Sequence, residues 1–302
     1  MKLGIKVAPG NDWKNNIEAA HPAMVEIWYN ASRPDDYTGI FAYLAHTSID
    51  VGLHYWGALP SGLLTNASYP DPAVSEPSLA LMRATIDSAA AHKCVYVNIH
   101  PDLYNLLQVN FDTMGIRVAS KQADPKAMNE TFIQNTLNLN AYAAARGVVL
   151  TVETVPSCDT PSWKPGRDRT DVINTHPIPM SVLVDLAHRG VAVANDFGHT
   201  ASNVISDDRA AVWRYLYDTT RTLEPVTRLI HLGFIEPPYN GVDFHDSLDN
   251  PVLETSAAIP NKKEMAELLQ LFKTRDDVWI LVEPRENHVK NYHLAQKIIA
   301  SV

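Results

Sequence analysis

The sequence predicts an α/β protein folded as a single (β/α)8 TIM barrel over residues 1–302, with long loops at the C-terminal face of its strands. Three observations lead there. Eight apolar, β-branched runs alternate with stretches of helical composition, and strict alternation implies a parallel sheet that eight units can close. The segments after the runs are long (56–75, 101–124, 155–179 and 235–260), whereas those before them, at Gly147, Gly190 and Asp276, span one to three residues. Long connections on one face suit a site at the carboxyl ends of the strands. No glycine-rich phosphate loop follows the first run, which disfavours an open doubly wound sheet.

The elements follow in order. Strands are expected over 3–8, 24–29, 50–55, 94–100, 148–154, 191–197, 228–234 and 277–284, each a short run rich in Val, Ile, Leu and aromatics. Helices are expected over 11–20, 36–46, 75–92, 125–146, 181–189, 206–221, 261–273 and 290–301. Ser75, Glu76 and Pro77 supply helix-start chemistry, and Gly147 and Gly190 supply stops. In VAVANDFGH the apolar run ends on Asn195 and Asp196, Gly198 turns the chain, and His199 follows. Asp196 there is a natural cap for the next segment.

Composition narrows the function. Apolar residues make up 46% and charged residues 20%, enough for a large core in a soluble globular protein. The net charge of −9 opposes non-specific attraction to nucleic acid or an anionic membrane. Cys94 and Cys158 are too few for a disulfide framework or a thiolate zinc motif, so a reducing, cytoplasmic setting is expected. The opening MKLGIKVAPG has too short an apolar run for a signal peptide, and no run approaches a membrane span.

Metal-capable side chains stand at six expected strand ends: His54, His100, Glu153, Asp196, His231 and Glu283. His199 and the pair Asp243 and His245 follow shortly after strand ends. A closed barrel gathers such ends into a ring. Carboxylates embedded in apolar strands are costly unless paired or metal-bound, and a divalent ion would neutralise them while using neutral imidazoles as ligands. A single strand-end His is commonly a hydrogen-bonded rim residue, and a single Glu can cap a helix or pair with Arg. Glu26 is read in that ordinary way and left out of the set. His21, His46, His92 and His188 fall on the opposite face, and His176, His288 and His293 lack a ligand pattern. Trp56 and Trp163 lie in site-face loops and suit substrate stacking. Arg33, Lys164, Arg167, Arg169, Arg285 and Lys290 share that face, and Arg33, Lys164 and Arg285 are candidates to bind an anionic substrate.

With these residues identified, the chain resembles the xylose-isomerase-like barrel superfamily. That group contains sugar and sugar-phosphate isomerases and epimerases together with endonuclease IV-type nucleases (AP endonuclease family 2). Glu153, Asp196, His231 and Glu283 match the set that holds one divalent metal in the isomerases and epimerases. The wider set is similar to that of endonuclease IV: LHYW gives His54, NIHP His100, VET Glu153, NDFGH Asp196 and His199, IHLGF His231, VDFHDSL Asp243 and His245, and VEP Glu283. The DNA-gripping motifs differ. APGNDW, NASRPDD and HLGF stand where the nucleases carry a Ser-Ala-Ala-Gly-Gly loop, a Lys-Asn-Gln segment and His-Leu-Asn-Asp, and no Gly-Glu-Gly follows DFHDSL.

The resemblance implies a divalent-metal-dependent isomerase or epimerase acting on a sugar or sugar phosphate. Glu153 and Glu283 would move a proton through a metal-stabilised enediolate. The alternative is a zinc-dependent phosphodiester hydrolase of the DNA-repair type. An iron-dependent oxidative barrel and a catalytically dead binding barrel are further, weaker readings. Zinc is expected if the site is multinuclear, and manganese, cobalt or magnesium if it is mononuclear. The expected partner is a small sugar-like molecule, with no membrane, a disfavoured nucleic acid and a possible homo-oligomer.

Overall fold

The computed structural model describes residues 1–10, 12–164, 168–243 and 245–302. Its centre is a closed barrel of parallel strands in the order β1 (Lys2–Val7), β12 (Trp279–Leu281), β11 (Thr227–His231), β10 (Ala192–Asp196), β7 (Val149–Glu153), β4 (Tyr96–Ile99), β3 (Asp50–Trp56) and β2 (Met24–Asn30). Helices α1 (Trp13–Ala20), α2 (Thr38–Leu44), α3 (Pro72–Ala91), α4 (Pro125–Ala144), α5 (Met180–His188), α7 (Arg209–Leu223), α8 (Lys262–Gln270) and α9 (His288–Ile299) fill the intervals between them. The expected (β/α)8 barrel is therefore the observed fold. No helix among the described residues is long and apolar enough to cross a membrane.

Departures from the sequence reading have local causes. Helix α3 starts before Ser75 because Asp71 accepts from the Ala73 amide and Pro72 occupies the first turn, where its missing N–H costs nothing. The long loops carry small sheets of their own, a hairpin of β5 (Leu107–Asn110) with β6 (Gly115–Val118) and a pair β8 (Cys158–Asp159) with β9 (Ile173–Asn174). A short helix, α6 (Phe197–Ala201), begins at the very end of β10. The eighth strand is shorter than 277–284, with Trp279–Leu281 in the ladder. Asn11, at the start of the first expected helix, lies outside the described residues, as does Arg167.

The core has two parts. The helices pack their apolar faces on the outside of the barrel, and a separate interior plug of Met24, Tyr96, Ala194, Leu229 and Leu281 fills its lower half. Gly52 makes room for that plug, since a Cβ there would sit 2.1 Å from the Tyr96 ring. Above the plug the inward side chains change from apolar to charged. At this level the ladder sets Lys6 of β1 opposite Glu26 of β2, and Asp196 of β10 opposite His231 of β11. A packed floor below a polar layer fixes where chemistry can occur, at the carboxyl ends of the strands.

Candidate metal centre

The barrel brings together all nine residues expected from the sequence. Glu153, Asp196, His231 and Glu283 each offer a ligand atom within 4.8 Å of the others, and so do two neighbouring groups, His54–His100–Glu153 and Asp196–His199–His245. Asp243 joins the third group, with Oδ2 3.5 Å from His199 Nε2 and 3.1 Å from His245 Nδ1. Most of the cluster is sealed from solvent: Glu153 and His231 are 0% exposed and Asp196 is 1% exposed. His100 is the open edge, with 47% of its side chain exposed.

Asp196 caps α6 and serves the cluster at once. Its Oδ1 accepts from the His199 amide at 2.8 Å, while Oδ2 is buried with no hydrogen-bond partner among the described residues. The cap turns α6 inward, so that His199 is buried and not on the surface. His199 Nδ1 lies 2.7 Å from the Thr154 carbonyl, an acceptor that fixes the proton on Nδ1 and leaves Nε2 facing the cluster. Gly233 is required beside it, because a Cβ there would lie 2.7 Å from Asp196 Oδ1. That contact gives a physical reason for HLGF after the seventh strand.

His231 sits at the centre. Its Nδ1 approaches Glu153 Oε1 at 3.1 Å, Glu283 Oε1 at 3.4 Å and Asp196 Oδ2 at 3.8 Å, and its Nε2 faces Glu26 Oε1 at 3.5 Å. Burial disfavours its charge, but Glu153 and Glu26 outweigh burial and raise the imidazole to about 9. Glu153 feels the reciprocal effect: burial pushes it up, yet His231, His100 and His54 hold it well below the usual carboxylate range. Asp196 goes the other way, pushed up to about 6 by burial and by the charges of Asp243 and Glu153, against the pull of His199 and His231. His199 is raised well above its ordinary value, since Asp196 and hydrogen bonds to Asp243 and Glu153 overcome burial.

Three residues of the polar layer are not among those expected from the sequence. Glu26 is 0% exposed and accepts from the Tyr96 hydroxyl at 2.8 Å. Its Oε1 lies 3.2 Å from Lys6 Nζ and 3.3 Å from His54 Nδ1, so it is a hub of the polar layer and not an ordinary surface glutamate. Lys6 Nζ is buried, 2.8 Å from His54 Nδ1, and hydrogen-bonds Glu283. Burial is opposed by Lys6, His231 and His54 together, which hold Glu26 well below its usual range. Burial and then the Lys6 charge push His54 down to about 4. The signal was present as opposite charges in two adjacent apolar strands, GIKVA and MVEIWY. Asn98 was missed as well; it donates to Glu153 and accepts from Thr151 at 2.9 Å, fixing the carboxylate.

The substrate candidates separate. Trp56 lies on the wall beside the cluster, its ring 6.3 Å from that of Trp28 and 5.8 Å from that of Phe111. Trp28 in turn lies 6.5 Å from the His54 ring. Arg33 is exposed and paired with Asp36 at 2.9 Å. Lys164 is exposed on its loop. Arg285 donates to the Trp163 carbonyl at 3.1 Å and, with Asp12, His288 and Lys290, lines a cavity of about 870 Å³ on the β12–α9 side. Arg169 is tied to Glu236 and Asp246, and Lys290 to Asp249. Trp163 donates from Nε1 to Asp159 at 2.8 Å.

The donor chemistry fits a divalent cation. Carboxylates and imidazoles are the ligands that zinc and manganese take, and the orphaned Asp196 Oδ2 lacks the partner that a buried carboxylate oxygen needs. No protein-family model matches the chain, and no curated protein matches it. Solved structures do. A D-tagatose 3-epimerase-like protein aligns with a TM-score of 0.64 at 12% identity over 100% of this chain and 98% of its own. Endonuclease IV from Thermus thermophilus aligns with a TM-score of 0.59 at 16% identity over 100% of both chains. The IOLI protein, crystallised with a bound zinc atom, aligns with a TM-score of 0.63 at 12% identity over 100% of this chain and 97% of its own. The chain shares the barrel fold of these proteins, as the sequence resemblance implied.

Proposed function

We propose that this chain is a divalent-metal-dependent isomerase or epimerase of a sugar or sugar phosphate. The observation that carries the reading is the convergence of Glu153, Asp196, His231 and Glu283 within 4.8 Å, with Asp196 Oδ2 lacking any other partner among the described residues. These four would hold the ion, which when bound supplies a Lewis acid that polarises the substrate carbonyl. Glu153 and Glu283 both approach His231 Nδ1, so they face one space. One removes the proton from the carbon beside the carbonyl and the other returns it, through an enediolate of the substrate. Asn98 and Lys6 orient the two carboxylates, and Trp28, Trp56 and Phe111 offer a wall on which a sugar ring can stack. Similarity to an epimerase-like barrel and to a barrel with bound zinc supports this choice, as does the net charge of −9.

The second reading is zinc-dependent phosphodiester hydrolysis, and one observation favours it: Asp243, His199 and His245 form a further group beside the first. The discriminating experiment offers the zinc- and manganese-loaded protein a panel of ketoses and ketose phosphates in deuterated water, beside an abasic oligonucleotide. Isomerised or epimerised sugar carrying solvent deuterium is the expected result. Strand cleavage without sugar turnover would transfer the assignment to the hydrolase.

A further inference from the structure

A fourth group of metal-capable residues, Glu26, His54, His231 and Glu283, lies at the inner edge of the cluster. Unlike the other three, it already contains a cation. Lys6 Nζ, on a side chain 9% exposed, lies 3.2 Å from Glu26 Oε1 and bonds Glu283, and the register of β1 on β2 fixes it there. Its third contact has a consequence for His54. An ammonium can only donate, so the 2.8 Å contact makes His54 Nδ1 its acceptor, in preference to a longer bond from Nδ1 to Glu26 Oε1 at 3.3 Å. The proton of neutral His54 is then on Nε2, aimed at His100 Nε2 at 3.1 Å. A nitrogen that carries a proton has no lone pair for a metal. His199 shows the opposite arrangement, with Nδ1 on a carbonyl and Nε2 turned to the cluster, 3.5 Å from Asp243 Oδ2.

We infer that Lys6 is a built-in cation that fills the inner subsite and withholds His54 from the ligand set, so that of the four overlapping metal-capable groups this barrel loads at most two with divalent ions. The inference rests on the metal-dependent reading above and sharpens it. The His54–His100–Glu153 group is closed, and metal is confined to the side formed by β7, β10, β11 and β12. Lys6 is thereby a positioning residue: it acts through His54 and Glu283 and sets how many ions the site admits.

The test counts zinc per chain, by elemental analysis after equilibration with zinc chloride and desalting, in the full-length protein and three variants. Wild type and His54→Gln should hold the same number, no more than two. Lys6→Met should hold one more, and Lys6→Met/His54→Gln should return to the wild-type number. Three zinc ions in wild type, a lower count in His54→Gln than in wild type, or no gain in a folded Lys6→Met would each overturn the inference. Imidazole-nitrogen NMR of the metal-free wild type is an independent readout, needed if Lys6→Met does not fold. The Nε2–H tautomer of His54 is expected, and the Nδ1–H tautomer would refute it. A wild type that binds no zinc but shows the Nε2–H tautomer would sink the metal-dependent reading and leave the role of Lys6 standing.

Discussion

The two sides of the polar layer use the same residue types and solve the same problem differently. On the β1–β4 side, Glu26 is compensated by Lys6, an ammonium delivered by the neighbouring strand, and burial together with that charge keeps His54 neutral. On the β10–β11 side, the charges that act on Asp196, His199 and His231 are those of other acids and imidazoles, and the carboxylates rely on imidazoles drawn into the charged form. Burying a carboxylate without compensation costs several kcal/mol, so each side must find a cation. One side finds it in the covalent chain and the other in a proton that an ion can displace. A single set of His, Asp and Glu at strand ends is thus half closed and half open to metal.

The largest effect should come from the open side. Glu153→Gln should lower sugar turnover on the order of a thousandfold, the usual contribution of a proton-transfer group, with circular dichroism and thermal midpoint little changed. Retained turnover would remove Glu153 from the reaction. On the closed side, Lys6→Met leaves Glu26 buried at 0% exposure without its lysine. Metal-free protein should lose about 3–5 kcal/mol in urea unfolding, the cost of breaking a buried pair from one end. A loss no larger than that of an exposed pair would mean Glu26 is compensated elsewhere.

Neutralising a carboxylate on the open side should have the reverse sign. Asp196 is raised to about 6 from an ordinary 3.8, so its favourable contribution is complete below about pH 3.8 and lost as pH rises through 6. Asp196→Asn keeps the oxygen that caps α6 and removes that loss. Relative to wild type, the metal-free variant should therefore gain roughly 2–3 kcal/mol between pH 4 and pH 7.5. A flat difference across that range would refute the sign. The smallest effect is on binding. His231, raised to about 9, is protonated at neutral pH and must release its proton to a metal. Zinc affinity should rise about tenfold per pH unit for each proton displaced between pH 6 and 8, measured by competition with a chelator. A pH-independent affinity would place the ion away from His231.

Much of this was legible in the sequence. Apolar strand runs end on charged residues, and in a parallel sheet the period and the helical intervals permit few other architectures. Seven of the nine acids and imidazoles could be named because each ends an apolar run or follows it within three residues, while Asp243 and His245 stood out as a pair in the loop after the seventh run. Glu26 was discounted because a glutamate inside one strand has several ordinary explanations, and only the partner strand tells them apart. Its partner, Lys6, is distant in sequence and adjacent only through the β1–β2 register. Arg33 shows the same dependence on structure: its pairing with Asp36, three residues on, follows from the turn between them and not from its residue type.

The sequence by itself determined the barrel, its chemical face and the identity of the residues that meet there, because hydrophobic periodicity and residue type are properties of the chain. Only the tertiary structure decided which of those residues hold one another and which are left wanting a cation. Hydrogen-bond direction and proton position depend on distances of a few ångströms between strands. The register that puts Lys6 beside Glu26 and His54, and the cap that turns Asp196 toward His231, are set by packing, not by composition.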